Sequence, residues 1–400
     1  MSANIGRQRK KTFDQPYTIR NTVEWVQSGR KYFDLLESLI DNSNYEVHLQ
    51  TYIFSSDETG SRIADALIRA AIRKVQVFVL VDAYGSQGMH GNDIRRMTDA
   101  GINFRKYGEL YSHGSFHIGR RLHQKVTVID GFVSLVGGIN LSDHYNTLHA
   151  RAAWLDFAVL MKGDISRRLQ YYCRKKWSGR KFTFKVDRTM LQGGRHDKII
   201  GYVPIRIRRN DFLWNRNEIT ITYREAFRQA AKSILVVGGY FLPGGRTRRL
   251  MISAIKRGVS INVIVPERSD VRLIIFARRY LYAWLIRNGI GVYEYKPANV
   301  HGKVLIVDNK WTSIGSYDLN NLSAFSNIEL NVDIQHEGFA FDLANHITAI
   351  MKNDCRSISA DNQYEKLGVF ARIKMWFAYR FVKTLFVLSV ILAGKKERGF

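Results

Sequence analysis

The chain has 400 residues, 46% of them hydrophobic, which is enough for two domains of ordinary size, each with a full core. Lysine and arginine number 61 against 35 acidic residues, and the resulting net charge of +26 draws polyanions: nucleic acid or an anionic membrane surface. Two cysteines, Cys173 and Cys355, are too few for a disulfide framework or a zinc site, and both are read as inert thiols.

The N-terminus, MSANIGRQRKK, is basic but runs into polar sequence, so no signal peptide is expected and the protein is placed on the cytoplasmic side. Helical spacing follows at Lys31 to Ile40 and Ser61 to Ile72, with strand patterns at Val47 to Phe54 and Val75 to Val81. His113 and His117 are spaced i, i+4, but YSHGSFHIGRR holds two glycines and precedes a strand. They are read as loop residues at the mouth of a cleft, and no metal or other cofactor is expected.

Next comes RLHQKVTVIDGFVSLVGGIN, in which His123, Lys125 and Asp130 are carried on an apolar run that reads as a buried strand. Side chains at i and i+2 share one face of a strand, so His123 and Lys125 point the same way. A neutral imidazole can attack or carry a proton near pH 7, whereas an ammonium can only neutralise anionic oxygen. Together the pair suits a phosphodiester. The following Gly137 and Gly138 would let donors approach phosphate oxygens closely, and Asn140 adds an amide.

A basic, glycine-containing stretch from Lys181 to Lys198 is the expected boundary between a first domain, 1–185, and a second, 199–360. The second half then repeats the order of the first, with patterns at Ala226 to Ala231, Ile234 to Tyr240, Thr247 to Lys256 and Ser260 to Val265. GGRTRR, near Gly244, is read as a helix start, and Arg278 with Arg279 as part of a helix whose apolar face meets the core. The motif recurs in NVHGKVLIVDNKWTSIGSYD as His301, Lys303 and Asp308, with the same His-x-Lys-x4-Asp spacing and then Gly315 and Ser316. Alternating strands and helices predict α/β architecture: two similar α/β sandwiches in tandem, facing each other across a pseudo-twofold axis.

These residues resemble the motifs of the phospholipase D superfamily, and most closely the bacterial cardiolipin synthases, in which GGxN in the first half and GSxN in the second are usual. The resemblance runs from about Tyr45 to Cys355 and includes QTYIF, VDAYGS, YFLPGG and WLDFAV. It implies two phospholipase D-like domains with both histidines in one site. One attacks phosphorus to give a phosphohistidine and the other serves as acid and then base. The first-half histidine is often the nucleophile in relatives, which assigns His123 that role and His301 the proton transfers. Lys125, Lys303 and Asn140 would stabilise charge on phosphorus. Asp156 and Glu329 match the family's histidine-orienting carboxylates, which leaves Asp130 and Asp308 as anchors of the site. One departure is Asp318, where the family has Asn; Asn320, two residues on, would supply the missing amide.

From Val369 to Gly394 the chain reads VFARIKMWFAYRFVKTLFVLSVILAG, apolar and aromatic residues broken by Arg372, Lys374, Arg380 and Lys383. The longest uncharged run, Thr384 to Gly394, is too short to span a bilayer. The segment 366–400 is instead expected to lie in the membrane interface, with cations at anionic headgroups. The competing reading is a terminal helix packed on the core or at a dimer interface. The function expected is transfer of a phosphatidyl group between phospholipids at the inner face of the cell membrane, from one phosphatidylglycerol to another with release of glycerol. Alternatives are a phospholipase D giving phosphatidic acid, a nuclease favoured by charge alone, and a non-enzymatic membrane-binding protein. An accessory protein would leave no legible sequence signature.

Overall fold

The structure, a computed structural model, describes residues 16–108, 111–112, 115–116, 121–149, 151–178, 201–211, 216–320, 327–359 and 368–395. The expected boundary at Lys181 to Lys198, and His113 with His117, lie outside the described residues.

The first half contributes strands β1 (Asn21–Gln27), β2 (Glu46–Thr51), β3 (Gln76–Asp82), β4 (Asn103–Tyr107), the short ribbon of β5 (Tyr111–Ser112) and β6 (Ser115–Phe116), β7 (Arg121–Leu122), β8 (Lys125–Ile129), β9 (Val133–Gly137) and β10 (Phe157–Gly163). The second half contributes β11 (Ile205–Asp211), β12 (Arg216–Asn217), β13 (Ser233–Gly238), β14 (Ser260–Pro266), β15 (Gly291–Tyr295), β16 (Lys303–Val307), β17 (Trp311–Gly315), β18 (Asn327–Gln335) and β19 (Cys355–Ile358). The first sheet runs β1-β10-β9-β8-β2-β3-β4, and the second runs β12-β11-β18-β17-β16-β13-β14-β15-β19. Between β11 and β15, the second sheet repeats the first strand for strand.

The directions repeat as well. β2, β3 and β4 are parallel, as are β13, β14 and β15, while β8 and β16 run antiparallel to β2 and β13. The helices Glu58–Ile72 and Gly245–Lys256 make the crossovers that parallel neighbours require. The strands are apolar on both faces because they are covered on both. VQVFVLVD and SINVIVP are near-continuous apolar runs, the signature of such strands.

One prediction was short. The pattern at Ala226 to Ala231 is only the end of the helix Glu218–Gln229, whose first turns, EITIT, alternate like a strand. Tertiary packing overrides that local pattern: Ile219, Tyr223 and Phe227 recur at i, i+4, i+8 and are buried on one face.

Among the described residues three large buried clusters define the layers, beside a small fourth of Leu80, Leu122 and Ile328. One lies under the helices of the first half and one under those of the second. The third is shared: Val126, Phe157 and Val159 of the first sheet pack with Val237, Val304 and Leu330 of the second. The two halves thus meet through an apolar core rather than a thin linker contact. Two short parallel pairings cross the seam. β7 pairs with β18, matching Leu122 to Ile328, and an isolated bridge matches Leu155 to Val300. In each pairing, the residue before a motif histidine meets the residue before a carboxylate of the other half.

Candidate active site

The motif strands β8 and β16 are each held at one end by the motif aspartate. Asp130 and Asp308 follow the last residue of the strand and adopt φ of 52° and 53°, in the left-handed region where Asp is tolerated. The Asp130 carboxylate accepts from the N–H groups of Asn44, Tyr45 and Glu46 at 2.8–2.9 Å, just where β2 begins. Asp308 accepts from Ala231, Lys232 and Ser233, where β13 begins. The sequence spacing groups these aspartates with the catalytic residues. Their carboxylates are spent on backbone at the far end of the strand, so they set the register between motif strand and parallel strand.

At the other end the histidines enter the seam. His123 N–H donates to Ile328 O at 3.0 Å, and His301 N–H donates to Leu155 O at 2.8 Å, which fixes each backbone against the opposite half. The side chains follow. His123 Nδ1 lies 3.0 Å from both Glu329 carboxylate oxygens, and His301 Nδ1 lies 2.7 Å from Asp156 Oδ2. Each imidazole is therefore oriented by the carboxylate of the other half, a crossing that the spacing within either half does not disclose. A carboxylate on Nδ1 leaves Nε2 as the free nitrogen of the ring.

The lysines share the histidines' face, as the two-residue strand period requires. Lys125 Nζ donates to His123 O at 2.6 Å, and Lys303 Nζ donates to His301 O. Tyr52 presents its ring edgewise to His123 at 5.0 Å between centroids, with Lys125 Nζ 5.3 Å from the Tyr52 ring. Tyr145 and Tyr240 stand edgewise to His301, at 5.2 and 6.4 Å. The tyrosines went unassigned in the sequence reading. QTYIF and YFLPGG hold Tyr52 and Tyr240, but nothing in those strings marks a ring as facing a histidine.

The N–H groups of Gly138 and Ser316, in the pairs that follow each motif, turn into the sheet rather than toward the histidines. Gly138 N–H bonds Phe157 O at 3.2 Å and Ser316 N–H bonds Leu330 O at 3.1 Å, so both are committed to the sheet. They support the carboxylates instead. A Cβ on Gly138 would stand 2.4 Å from Asp156 Oδ1, so glycine is what lets that carboxylate sit there. Ser316 Oγ donates to Glu329 Oε2 at 2.5 Å.

Asn140 and Asp318 occupy matching places. Asn140 Oδ1 accepts from Ile53 N–H at 3.1 Å and its amide donates to Tyr145 Oη at 2.7 Å. Asp318 Oδ1 accepts from Tyr240 N–H at 3.3 Å, while Oδ2 lies 3.7 Å from Lys303 Nζ. The carboxylate is thus paired with the buried ammonium. Asn320, expected to replace the missing amide, donates its Nδ2 to Tyr240 O at 3.2 Å.

The cleft concentrates cations that burial makes costly. Burial, and then Lys303, bring the Lys125 ammonium down to about 7. Burial, followed by Lys303, Lys125 and His123, pushes His301 well below its ordinary value, so its ring is neutral at pH 7. The two orienting carboxyls diverge. Burial lifts Asp156 to about 6, despite Lys303 and the N–H of Phe157. Burial also acts to raise Glu329, but His123, Lys125 and the Ser316 hydroxyl outweigh it and leave Glu329 below the usual glutamate value. Burial raises Asp318 despite Lys303. Depressed basic groups crowded round two histidines describe a pocket that an anion would relieve.

Comparison with other proteins places the chain in a family. The family model described as "Cardiolipin synthase, PLD-like domain" matches residues 36–157 and again 223–355, one match in each half. Cardiolipin synthase B of Salmonella typhimurium (strain LT2) is 30% identical over 343 residues, covering 84% of this chain and 82% of that protein. Cardiolipin synthase B of Escherichia coli (strain K12) is 28% identical over 341 residues with the same coverage. Cardiolipin synthase A of Pseudomonas putida (strain GB-1) is 27% identical over 350 residues, 87% of this chain and 72% of that protein. Among solved structures, the phosphatidylserine synthase of Haemophilus influenzae Rd KW20 superposes with a TM-score of 0.72 at 12% identity, over 94% of this chain and 97% of that one. At that identity the likeness shows the shared fold.

Proposed function

The chain belongs to the phospholipase D superfamily and, within it, to the cardiolipin synthase-type phosphatidyltransferases, and from that premise we propose that it transfers a phosphatidyl group from one phosphatidylglycerol to the hydroxyl of another, releasing glycerol. The observation that carries the reading is the crossed pair of carboxylate-held histidines around Lys125 and Lys303.

The unequal carboxylates support the division of roles between the two histidines. Glu329, kept ionised, would offset the positive charge that forms on His123 when its Nε2 bonds to phosphorus. His301 and Asp156 form a buried pair with the carboxyl raised to about 6, suited to taking up and giving back a proton near neutral pH. The His301–Asp156 pair takes up one proton as the anionic substrate enters; in the first step the His123 Nε2–phosphorus bond forms, the bond from phosphorus to the glycerol oxygen breaks, and that proton passes from His301 Nε2 to the leaving oxygen. In the second, His301 removes the proton from the incoming hydroxyl, whose oxygen displaces His123 from phosphorus. Lys125, Lys303 and the phosphate oxygens approach each other as charge builds on pentacoordinate phosphorus.

The substrate is presented by a membrane surface, and the helix Val369–Lys395 would meet it. This helix packs on the helix Arg272–Arg287 through buried Met375, Ala378 and Val382 and a Tyr280–Tyr379 stack at 5.0 Å. Its outward side exposes Phe370, Trp376, Phe377 and Phe381 among Arg372, Lys374 and Arg380, with Phe370 90% exposed. Rings below and cations at anionic headgroups are what interfacial helices offer. Among the described residues no helix is long and apolar enough to cross a membrane.

Incubating the protein with phosphatidylglycerol vesicles and following the lipids tests the reading. Cardiolipin and glycerol in equal amounts, absent with His123→Ala, are expected. Phosphatidic acid alone would make the protein a hydrolase, and no lipid turnover would contradict both.

A further inference from the structure

At the seam, away from the catalytic residues, the helix Asp164–Ser178 and the strands β11 and β12 enclose a cleft of about 470 Å³. Five cations line it: Arg167, Arg168 and Lys175 from the helix, Arg209 and Arg216 from the strands. Among the described residues no carboxylate does.

Nothing in the fold demands this convergence. The helix buries Ile165, Leu169 and Cys173 against the core, so Arg167 and Lys175 are free of any packing task and are exposed. With Tyr171 between them they form one i, i+4, i+8 stripe, an arrangement in which like charges add no stability to the helix. Among the described residues neither Arg167 nor Lys175 has an ion-pair partner. Across the cleft Glu218 lies 3.6 Å from Arg209 and 3.0 Å from Arg216. Arg209 is held over the Tyr172 ring at 5.3 Å, and its Nε is buried with no hydrogen-bond partner among the described residues. Cations of one sign in a walled cleft focus the field into it, and guanidinium forks match phosphate oxygens.

The cleft is separate from the membrane-facing helix as well. β11 and β12 form one edge of the second sheet, whereas the strands beside the helix Arg272–Arg287 lie toward the other. Asn210, the strand neighbour of Arg209, pairs in register with Glu329.

We propose that this cleft is a second, non-catalytic binding site for a phosphate ester, the group that a phospholipid headgroup and a soluble phosphomonoester share. The site rests on its own geometry and does not depend on the phosphatidyltransfer reading. The test uses the full chain carrying His123→Ala to prevent turnover, with two probes: sn-glycerol 3-phosphate by titration calorimetry, and vesicles of phosphatidylglycerol in phosphatidylcholine by flotation. Arg167→Glu/Lys175→Glu is compared with Arg95→Glu/Lys352→Glu, an equal charge change at exposed positions elsewhere. The cleft variant is expected to lose tenfold or more in affinity for one probe while the control stays within twofold. Loss with glycerol phosphate alone assigns a soluble ligand, and loss with vesicles alone assigns a lipid headgroup. Equal losses in the two variants, or none in either, would overturn the proposal. With His123 restored, turnover of short-chain phosphatidylglycerol by the cleft variant should stay within twofold of wild type; a fall matching the loss of binding would also overturn it.

Discussion

The two halves build the same frame and fill it with different chemistry. In both, a motif aspartate ties strand to strand, a histidine leans across the seam and a lysine lies beneath it. The differences nearest the orienting carboxylates lie in the supports: Gly138 against Ser316, Asn140 against Asp318, and Asp156 against Glu329. They are mutually consistent. The shorter carboxylate, Asp156, sits where Gly138 has no Cβ, and the longer one, Glu329, is met by the Ser316 hydroxyl. Duplication keeps the geometry, while small changes around each carboxylate distinguish the two pairs, a difference that the proposed mechanism uses to divide attack on phosphorus from proton transfer.

Breaking the crossed pairs should have the largest effect. Asp156→Asn and Glu329→Gln are each expected to lower turnover by about 10³- to 10⁴-fold, as loss of a histidine-orienting carboxylate does elsewhere. Double-mutant kinetics sharpen the crossing: Asp156→Asn should cost little more once His301 is already Ala, and Glu329→Gln little more once His123 is Ala. The opposite coupling would return each carboxylate to its own half.

Exchanging the small supports should be unequal. Gly138→Ser forces Asp156 aside and should cost turnover by about a hundredfold or more. Ser316→Gly removes one hydrogen bond to a charged group, worth about 1.5–3 kcal/mol, and should leave measurable activity. Equal losses in steady-state kinetics would mean that the two carboxylates are not supported differently.

The anchors should behave alike and affect stability instead of chemistry. Asp130→Ala and Asp308→Ala each strand three backbone N–H groups and should lower stability by about 2 kcal/mol in chemical denaturation. Burial acts to raise the Asp308 carboxyl, but the Ser233, Ala231 and Lys232 N–H groups hold it below the ordinary value. Its contribution is therefore complete above the unfolded aspartate pKa and is lost as pH falls through the depressed folded one. The Asp308→Ala deficit should shrink correspondingly in acid.

The smallest effect is expected at Asp318. As pH rises through about 7, Lys125 loses its proton in the empty site, and kcat/KM should fall with it. The Asp318 charge helps to keep Lys125 protonated, so Asp318→Asn should move that alkaline limb to lower pH by a fraction of a unit. At pH 6 the same change frees Lys303 for the substrate and should lower KM severalfold. An unmoved limb would place Asp318 outside the charge balance of the site.

Much of this frame was legible in the sequence because buried parallel strands are long apolar runs and the motif is written twice with one spacing. His123, Lys125, His301 and Lys303 could be named, and their shared faces followed from the strand period. The partner of each histidine could not be read, because Asp156 and Glu329 reach across a seam that only the tertiary pairing of Leu155 with Val300 and Leu122 with Ile328 creates. The same holds for Gly138 and Ser316. A glycine-rich turn reads as an invitation to phosphate until the strand takes its N–H and a carboxylate takes its space.

The most direct test of unequal roles is a rapid-mix burst with a phosphodiester carrying a nitrophenolate leaving group, which needs no acid to depart. His301→Ala should release nitrophenolate in one burst, close to one equivalent per protein, and stall as a phosphohistidine at His123. His123→Ala should release none. The reverse pattern, with the burst in His123→Ala and the label on His301, would contradict the assignment of attack to the half held by Glu329.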